Sequence, residues 1–249
     1  PTDRDSIDLT LMYIDIDNGY DAFSLDNTRH TLSDEPGKDR QDSRALGLEW
    51  QRELDSLTVA TSLTGATTAS TYSFDEDWSY VGIAPGWEYS SKDRYKRDRD
   101  SYSATARLLS GEGSRLFEGS TDWVAGAYFL GDRENLDRRY TYLENDFSSR
   151  YDTDTYALFG QLDSQLGNGF ALITGLRVER RLTDYRDNNG VDSDPDKDLW
   201  GGRIALEYQF DDHRMGYGEV SRGYRANGVN AAILGSMDTS EDPGITDQL

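Results

Sequence analysis

The chain has 249 residues, 47 acidic against 26 basic, giving a formal net charge of −21 with a mean hydropathy of −0.78. So acidic a chain repels nucleic-acid backbones, and the absence of cysteine excludes a disulfide framework and thiolate metal sites. An apolar content of 35% is thin for a thick dry core, while 12% aromatic residues are too many for a disordered chain.

Alternation with a period of two runs through the sequence. Ile7, Leu9, Leu11 and Tyr13 alternate with Asp8, Thr10 and Met12. Leu46, Leu48 and Trp50 follow, then Leu57, Val59, Thr61 and Leu63 after a short turn. Tyr102, Ala104, Ala106 and Leu108 form the next stripe, and Trp123, Ala125, Ala127 and Phe129 the one after. Tyr156, Leu158, Gly160 and Leu162 lead through a GNG turn to Leu172, Thr174, Leu176 and Val178. The stretch WGGRIALEYQF, 200–210, is apolar on one side and aromatic at both ends of that side, and a last strand runs from Met215 towards Tyr224. The pattern predicts about nine strands of roughly ten residues, the length that crosses a bilayer when tilted. No run of about 18 apolar residues exists to form a transmembrane helix.

Links at about 54–56, 110–119, 167–169 and 211–213 are short. They alternate with long polar links at about 18–42, 73–99, 131–151 and 184–198. Arg107, Gln161, Asp163, Arg177, Glu179, Arg203, Glu207 and Gln209 all fall opposite the apolar stripe. Short turns on one side and long loops on the other describe an all-β, antiparallel, up-and-down transmembrane β-barrel with a wet lumen. Its apolar face touches lipid, and its strand-end aromatics suit the membrane interface. The alternative is a secreted acidic β-sandwich that buries the same stripe against a second sheet and holds a glycan on exposed Trp and Tyr, as a carbohydrate-binding module does.

Several segments resemble the TonB-dependent receptors of the Gram-negative outer membrane, in family order over nearly the whole chain. They are SDEPGKDRQDS at 33–43, DEDW at 75–78, STDWVAGAYFL at 120–130, YALFGQLDSQL at 156–166, ITGLRVERR at 173–181 and YGEVSRGYRANGVN at 217–230. Asn227 stands where the family often has glycine. The resemblance implies a 22-stranded barrel with an N-terminal plug, and residues 1–249 read as a middle part of that barrel, with the plug, the TonB box and the flanking strands absent from it. It further implies uptake of a scarce ligand, a ferric siderophore or other iron complex above all, energised by a TonB complex. Outer-membrane lipid and lipopolysaccharide are implied as surroundings.

No catalytic signature occurs: there is no G-x-S-x-G elbow, no Walker pattern and no complete G-x-G-x-x-G, so the chain reads as a non-enzyme without a cofactor. His30 and His213 read as solvated loop residues. Asp192, Asp194, Asp196 and Asp198 offer hard oxygens, but the spacing lacks the Gly and closing Glu of a calcium loop, so an acidic solvated loop is the simpler reading. The 73–99 segment carries Trp78, Tyr80, Trp87, Tyr89 and Tyr95, then Lys92, Arg94, Lys96, Arg97 and Arg99. Arg138, Arg139, Tyr140 and Tyr142 stand in the next long link. Aromatic faces beside guanidinium forks suit an anionic, aryl-bearing ferric chelate. The candidate ligand residues are therefore Trp78, Tyr80, Trp87, Arg94, Tyr95, Arg97, Arg139 and Tyr140.

Overall fold

The computed structural model describes residues 4–19, 23–226, 228–229 and 245–246. The strands are β1 (Asp5–Asn18), β2 (Lys38–Glu53), β3 (Leu57–Asp75), β4 (Lys92–Ser110) and β5 (Thr121–Tyr140). They continue as β6 (Phe147–Gly167), β7 (Phe170–Asp187), the two-residue β8 (Asp192–Ser193), β9 (Lys197–Asp211) and β10 (Arg214–Arg222). All pair antiparallel in one sheet in chain order, with β8 beside the upper end of β7. Among the described residues β1 and β10 remain the two edges, and no second sheet lies across the apolar face. The sandwich reading therefore fails: among the described residues that face has no protein partner. Asn227 lies outside the described residues.

The register sorts the two faces. Thr61, Ala106, Ala127, Leu158, Val178 and Trp200 are successive partners across six strands, so they share one face. Ala60, Arg107, Gly126, Phe159, Arg177 and Gly201 form the neighbouring row on the other. The apolar row points out of the sheet, with Leu158 at 62% and Ile204 at 60% exposure. The polar face is the crowded one, burying Ala157, Ala205, Thr153 and Thr183, as expected where a sheet curls inward on that side. We call these the outer and inner faces.

Two aromatic clusters bracket the outer apolar band. Phe129 packs against Tyr102 and Tyr156 towards the long-loop end, with centroids 5.7 and 5.0 Å away. Tyr208 packs against Phe170 and Phe210 at the short-turn end, at 4.4 and 4.7 Å. Trp200 to Phe210 rises about 33 Å along the strand at ~3.3 Å per residue, or about 25 Å in height at the tilt usual in such walls. Glycines let rings lie flat against this wall. A Cβ on Gly131 would collide with the Tyr102 ring, and one on Gly126 would meet both the Phe159 ring and the Ala106 carbonyl.

The turn between β6 and β7 explains another glycine pair. Gly167, Asn168 and Gly169 all take positive φ, at 85°, 52° and 82°, a left-handed path that side chains other than Asn resist.

The strands correct the expected length of about ten residues, since β5 has 20 and β6 has 21. The supposed long link at 131–151 is strand except for residues 141–146, and the basic run at 92–99 is the first half of β4 rather than loop. The apolar cue ends where the outer face becomes charged, but main-chain pairing does not end there. Arg133↔Asp152 and Asn135↔Arg150 continue the ladder beyond Gly131↔Asp154.

Candidate functional site

The candidate residues all lie in the upper extension of the sheet or in the loops above it, where two segments meet, 23–37 and 76–91. Strand alternation then divides them. Tyr95, Arg97 and Tyr140 share the inner face with Arg138, through the pairs Tyr95↔Arg138, Arg97↔Leu136 and Asp93↔Tyr140. Arg94 and Arg139 are partners of one another on the outer face, pointing away from the others. The eight therefore do not form one site.

The inner group is ordered around Arg138. Its guanidinium forks onto Asp93 at 3.0 and 2.7 Å and lies 5.0 Å from the Tyr95 ring centroid and 5.3 Å from that of Tyr140. Tyr95 also donates to Asp93 at 3.0 Å. The side chains of Arg138 and Asp93 are 14% and 5% exposed, so this pair is largely removed from water. Hydrogen bonding to Asp93 strengthens the proton affinity of Arg138, and burial, with the Asp93 charge next, pushes the Tyr95 phenol above its usual value. Neither Tyr95 nor Arg138 is a free ligand-binding group.

Several of the positive charges here are matched by carboxylates. Arg99 forks onto Asp132, and Arg139 pairs with Asp146 at 2.9 Å. Arg97 is held loosely, 3.9 Å from Glu134 and 5.1 Å from the centre of the Tyr95 ring. At this level it is an inner-face cation that a ligand could recruit at little cost, its carboxylate contact being a long one. Of the basic run at 92–99, Lys92 pairs with Glu35 of the loop above, Lys96 with Asp98 on its own strand, and Arg97 and Arg99 with Glu134 and Asp132 across on β5.

Above this level the loops present aromatic rings. Trp78 sits at φ 57° and stacks on Phe23 with centroids 5.1 Å apart and planes 6° from parallel. Phe23 also meets Phe74 edge-on at 5.9 Å. Trp87 stacks on Tyr89 at 5.8 Å, and Tyr80 and Trp87 remain exposed. Sequence reasoning missed Phe23, Asp93 and Arg138 as organisers. Phe23 gave no local signal, because only the fold brings it to a residue 55 positions away. Asp93 and Arg138 lay in an apparent loop where alternation was not sought.

Acidic side chains hold these loops in place. Asp75, fully buried, accepts the main-chain N–H groups of Asp77 and Trp78, each at 3.1 Å, and of Asp34 at 3.2 Å. Asp77 accepts from the N–H and hydroxyl of Ser79 at 3.0 and 2.7 Å, and from those of Ser91 at 2.7 and 3.2 Å. Asp34 accepts from the Val81 N–H at 3.1 Å and the Ser90 hydroxyl at 2.9 Å. Burial raises the Asp75 carboxyl above the usual range. Burial also pushes Asp77 upward, but the donors of Ser79 and Ser91 outweigh it and hold that carboxyl low.

The remaining candidates are inert. His30 and His213 lie exposed in turns, each main-chain N–H bonded to a side-chain oxygen, of Thr28 and Asp211 respectively. Asp196 and Asp198 pair with Arg180 at 3.7 and 3.8 Å, and Asp192 with Arg186 at 3.5 Å. Their carboxylates do not converge on one point, and no group able to hold a metal occurs among the described residues.

The geometry resembles that of known outer-membrane receptors. The ferric yersiniabactin uptake receptor FyuA from Yersinia pestis matches 96% of this chain and 38% of its own, at 17% identity and a TM-score of 0.70. The ferric citrate transporter FecA matches 85% and 32%, at 12% identity and 0.62. The copper transporter OprC matches 89% and 35%, at 14% identity and 0.59. The chain therefore spans about two-fifths or less of each. No curated protein sequence matches it. The family model described as TonB dependent receptor-like, beta-barrel matches residues 2–246. Over residues 2–246, the chain belongs to the TonB-dependent receptor β-barrel family, a family of receptors and transporters rather than enzymes.

Proposed function

We propose that this chain is part of the wall of a Gram-negative outer-membrane receptor that takes up a scarce ligand, most simply a ferric siderophore or other iron complex, with energy from a TonB complex. On this reading residues 1–249 form a middle part of a larger barrel whose plug and remaining strands come from outside this stretch. The outer apolar band faces lipid, and the charged outer face above it meets lipopolysaccharide. The observation that carries the reading is the uncovered outer face: a sheet of this size leaving Leu9, Leu158 and Ile204 to solvent is stable only where hydrocarbon replaces water.

For ligand contact the geometry favours Trp78, Tyr80 and Trp87 in the loops, with Arg97 as the available inner-face cation. Tyr95 and Tyr140 act by caging Arg138, and Arg94 and Arg139 face outward. Stacking and a guanidinium fork together suit an anionic chelate with aryl groups.

The test uses the full-length receptor in an iron-starved Gram-negative host. Uptake of radiolabelled iron as its tris-catecholate complex should require both the receptor and TonB. Trp78→Ala should weaken binding three- to tenfold, the loss of one aromatic contact worth about 0.5–1.5 kcal/mol. A full-length product that is soluble and monomeric without detergent would overturn the membrane reading. TonB-independent uptake would overturn the energy source.

A further inference from the structure

Three carboxylates, of Asp34, Asp75 and Asp77, converge where the 23–37 and 76–91 segments meet, and most of their acceptor capacity is spent on main-chain N–H groups. We propose that Asp34, Asp75 and Asp77 are positioning residues forming a clasp that makes these two loops one body, and that this body holds the Phe23–Trp78 stack as a fixed aromatic face.

The clasp works at two levels. Asp77 frames the 76–91 loop from within, bonding Ser79 on one oxygen and Ser91, beside the start of β4, on the other. Asp75 and Asp34 then join that frame to the second loop. Asp34 donates its own N–H to the Ser79 carbonyl at 3.1 Å and shares it with Asp75, while its side chain reaches Val81 and Ser90. Lys92 adds an ion pair to Glu35 at 2.8 Å. A carboxylate accepting several N–H groups fixes those peptides in direction as well as position.

The position of Trp78 shows what the clasp accomplishes. Its positive φ is costly for a bulky residue and persists only where the surroundings impose it. Two constraints do so here: its N–H is held by Asp75, and its ring lies against Phe23 from the other loop. Releasing the carboxylates frees the peptide to relax, and the stack then has no reason to persist.

The decisive measurement is a distance between the loops in the full-length receptor reconstituted in liposomes. Spin labels are placed at Arg29→Cys and Ala84→Cys, exposed positions outside the clasp, after any cysteine elsewhere in the full-length receptor has been replaced by serine. The parent should give one narrow distance distribution by electron–electron double resonance. Asp77→Asn replaces one of the two acceptor oxygens by an amide N–H donor that faces the donors of Ser79 or Ser91, and should broaden the distribution at least twofold. Asp34→Ala, at an exposed residue whose side chain reaches Val81 and Ser90, should do the same from the opposite side. Heat-modifiable gel migration reports separately that the barrel has formed. A broad distribution in the parent, or a narrow one in both folded variants, would overturn the clasp.

A second readout tests positioning, and it alone rests on the uptake reading. Asp77→Asn and Trp78→Ala should weaken binding of ferric tris-catecholate by the same factor, and the double variant no further. Full additivity of the two losses would show that Asp77 does not act through Trp78. Should the parent not bind this probe at all, the cargo reading fails while the distance measurement still decides the clasp.

Discussion

The lower and upper halves of the same strands face different surroundings with one continuous backbone. Below the Tyr102–Phe129–Tyr156 cluster the outer face is aliphatic. Above it the same face carries Arg133 paired with Asp154 at 2.7 Å, and Arg150 with Asp152 at 2.7 Å. Hydrogen-bond pairing of the main chain is indifferent to this change, because each strand between the edges β1 and β10 pairs with its neighbours through both halves. Side chains record the change of solvent, and the ladder alone records the fold. The inner face shows a second contrast, from polar side chains exposed to the concavity below to the dry Arg138–Asp93 pair above.

The largest expected effect breaks that dry pair. Asp93→Ala leaves the Arg138 guanidinium without its carboxylate between two tyrosine rings and should destabilise the upper wall by about 3–5 kcal/mol. Urea titration of the refolded receptor in liposomes measures it. The exposed pair Arg139–Asp146, 67% and 63% open to water, should lose no more than about 1 kcal/mol on Arg139→Ala. Equal losses at the two sites would erase the distinction between a buried and a solvated pair.

Next comes the boundary on the outer face. Leu158→Arg, in the apolar band, should cost about 2–4 kcal/mol, whereas Asn135→Arg, on the same face above the aromatic cluster, should stay within about 0.5 kcal/mol. The same titration applies, and a similar cost at both positions would show that the aromatic cluster does not mark the edge of the hydrocarbon. Gly126→Val should cost about 1–3 kcal/mol, because the added side chain meets the Phe159 ring and the Ala106 carbonyl at once.

The smallest effect is that of pH on the clasp, and its two carboxyls run in opposite directions. Asp75, raised by burial, is costly when ionised, so taking up a proton near or above the usual carboxylate range does not open the loops. Asp77, held low by Ser79 and Ser91, supports the closed form at all pH above the usual range. That support is lost only as the pH falls through its lowered value. Asp75 and Tyr89 are titratable groups coupled to it, Glu76 shares its partner Ser91, and the cation next in the chain, Lys92, is paired with Glu35. The interloop distance should therefore hold through mild acid and broaden below the usual carboxylate range, and Asp77→Asn should remove this dependence. Broadening already in mild acid would assign the control to Asp75 instead.

The apolar stripes were legible because each position shows its own polarity: Leu9, Trp123 and Ile204 each mark the apolar face without reference to any partner. Upper strand segments were not, because a segment such as Asp93–Asp100 with charges on both faces has no contrast for a period of two to reveal. The candidate site was half legible for a related reason. Residue types showed where aromatic and cationic chemistry gathers, but Arg94 and Arg97 look alike in sequence and lie on opposite sides of the wall.

By itself, then, the sequence determined the fold class and which face of the sheet is apolar, since each follows from local alternation. Tertiary structure decided which charges are already spent on one another, which rings meet across distant loops, and that Asp34, Asp75 and Asp77 share one place. Those facts depend on register and on contacts between residues tens of positions apart, for which a linear pattern carries no signal.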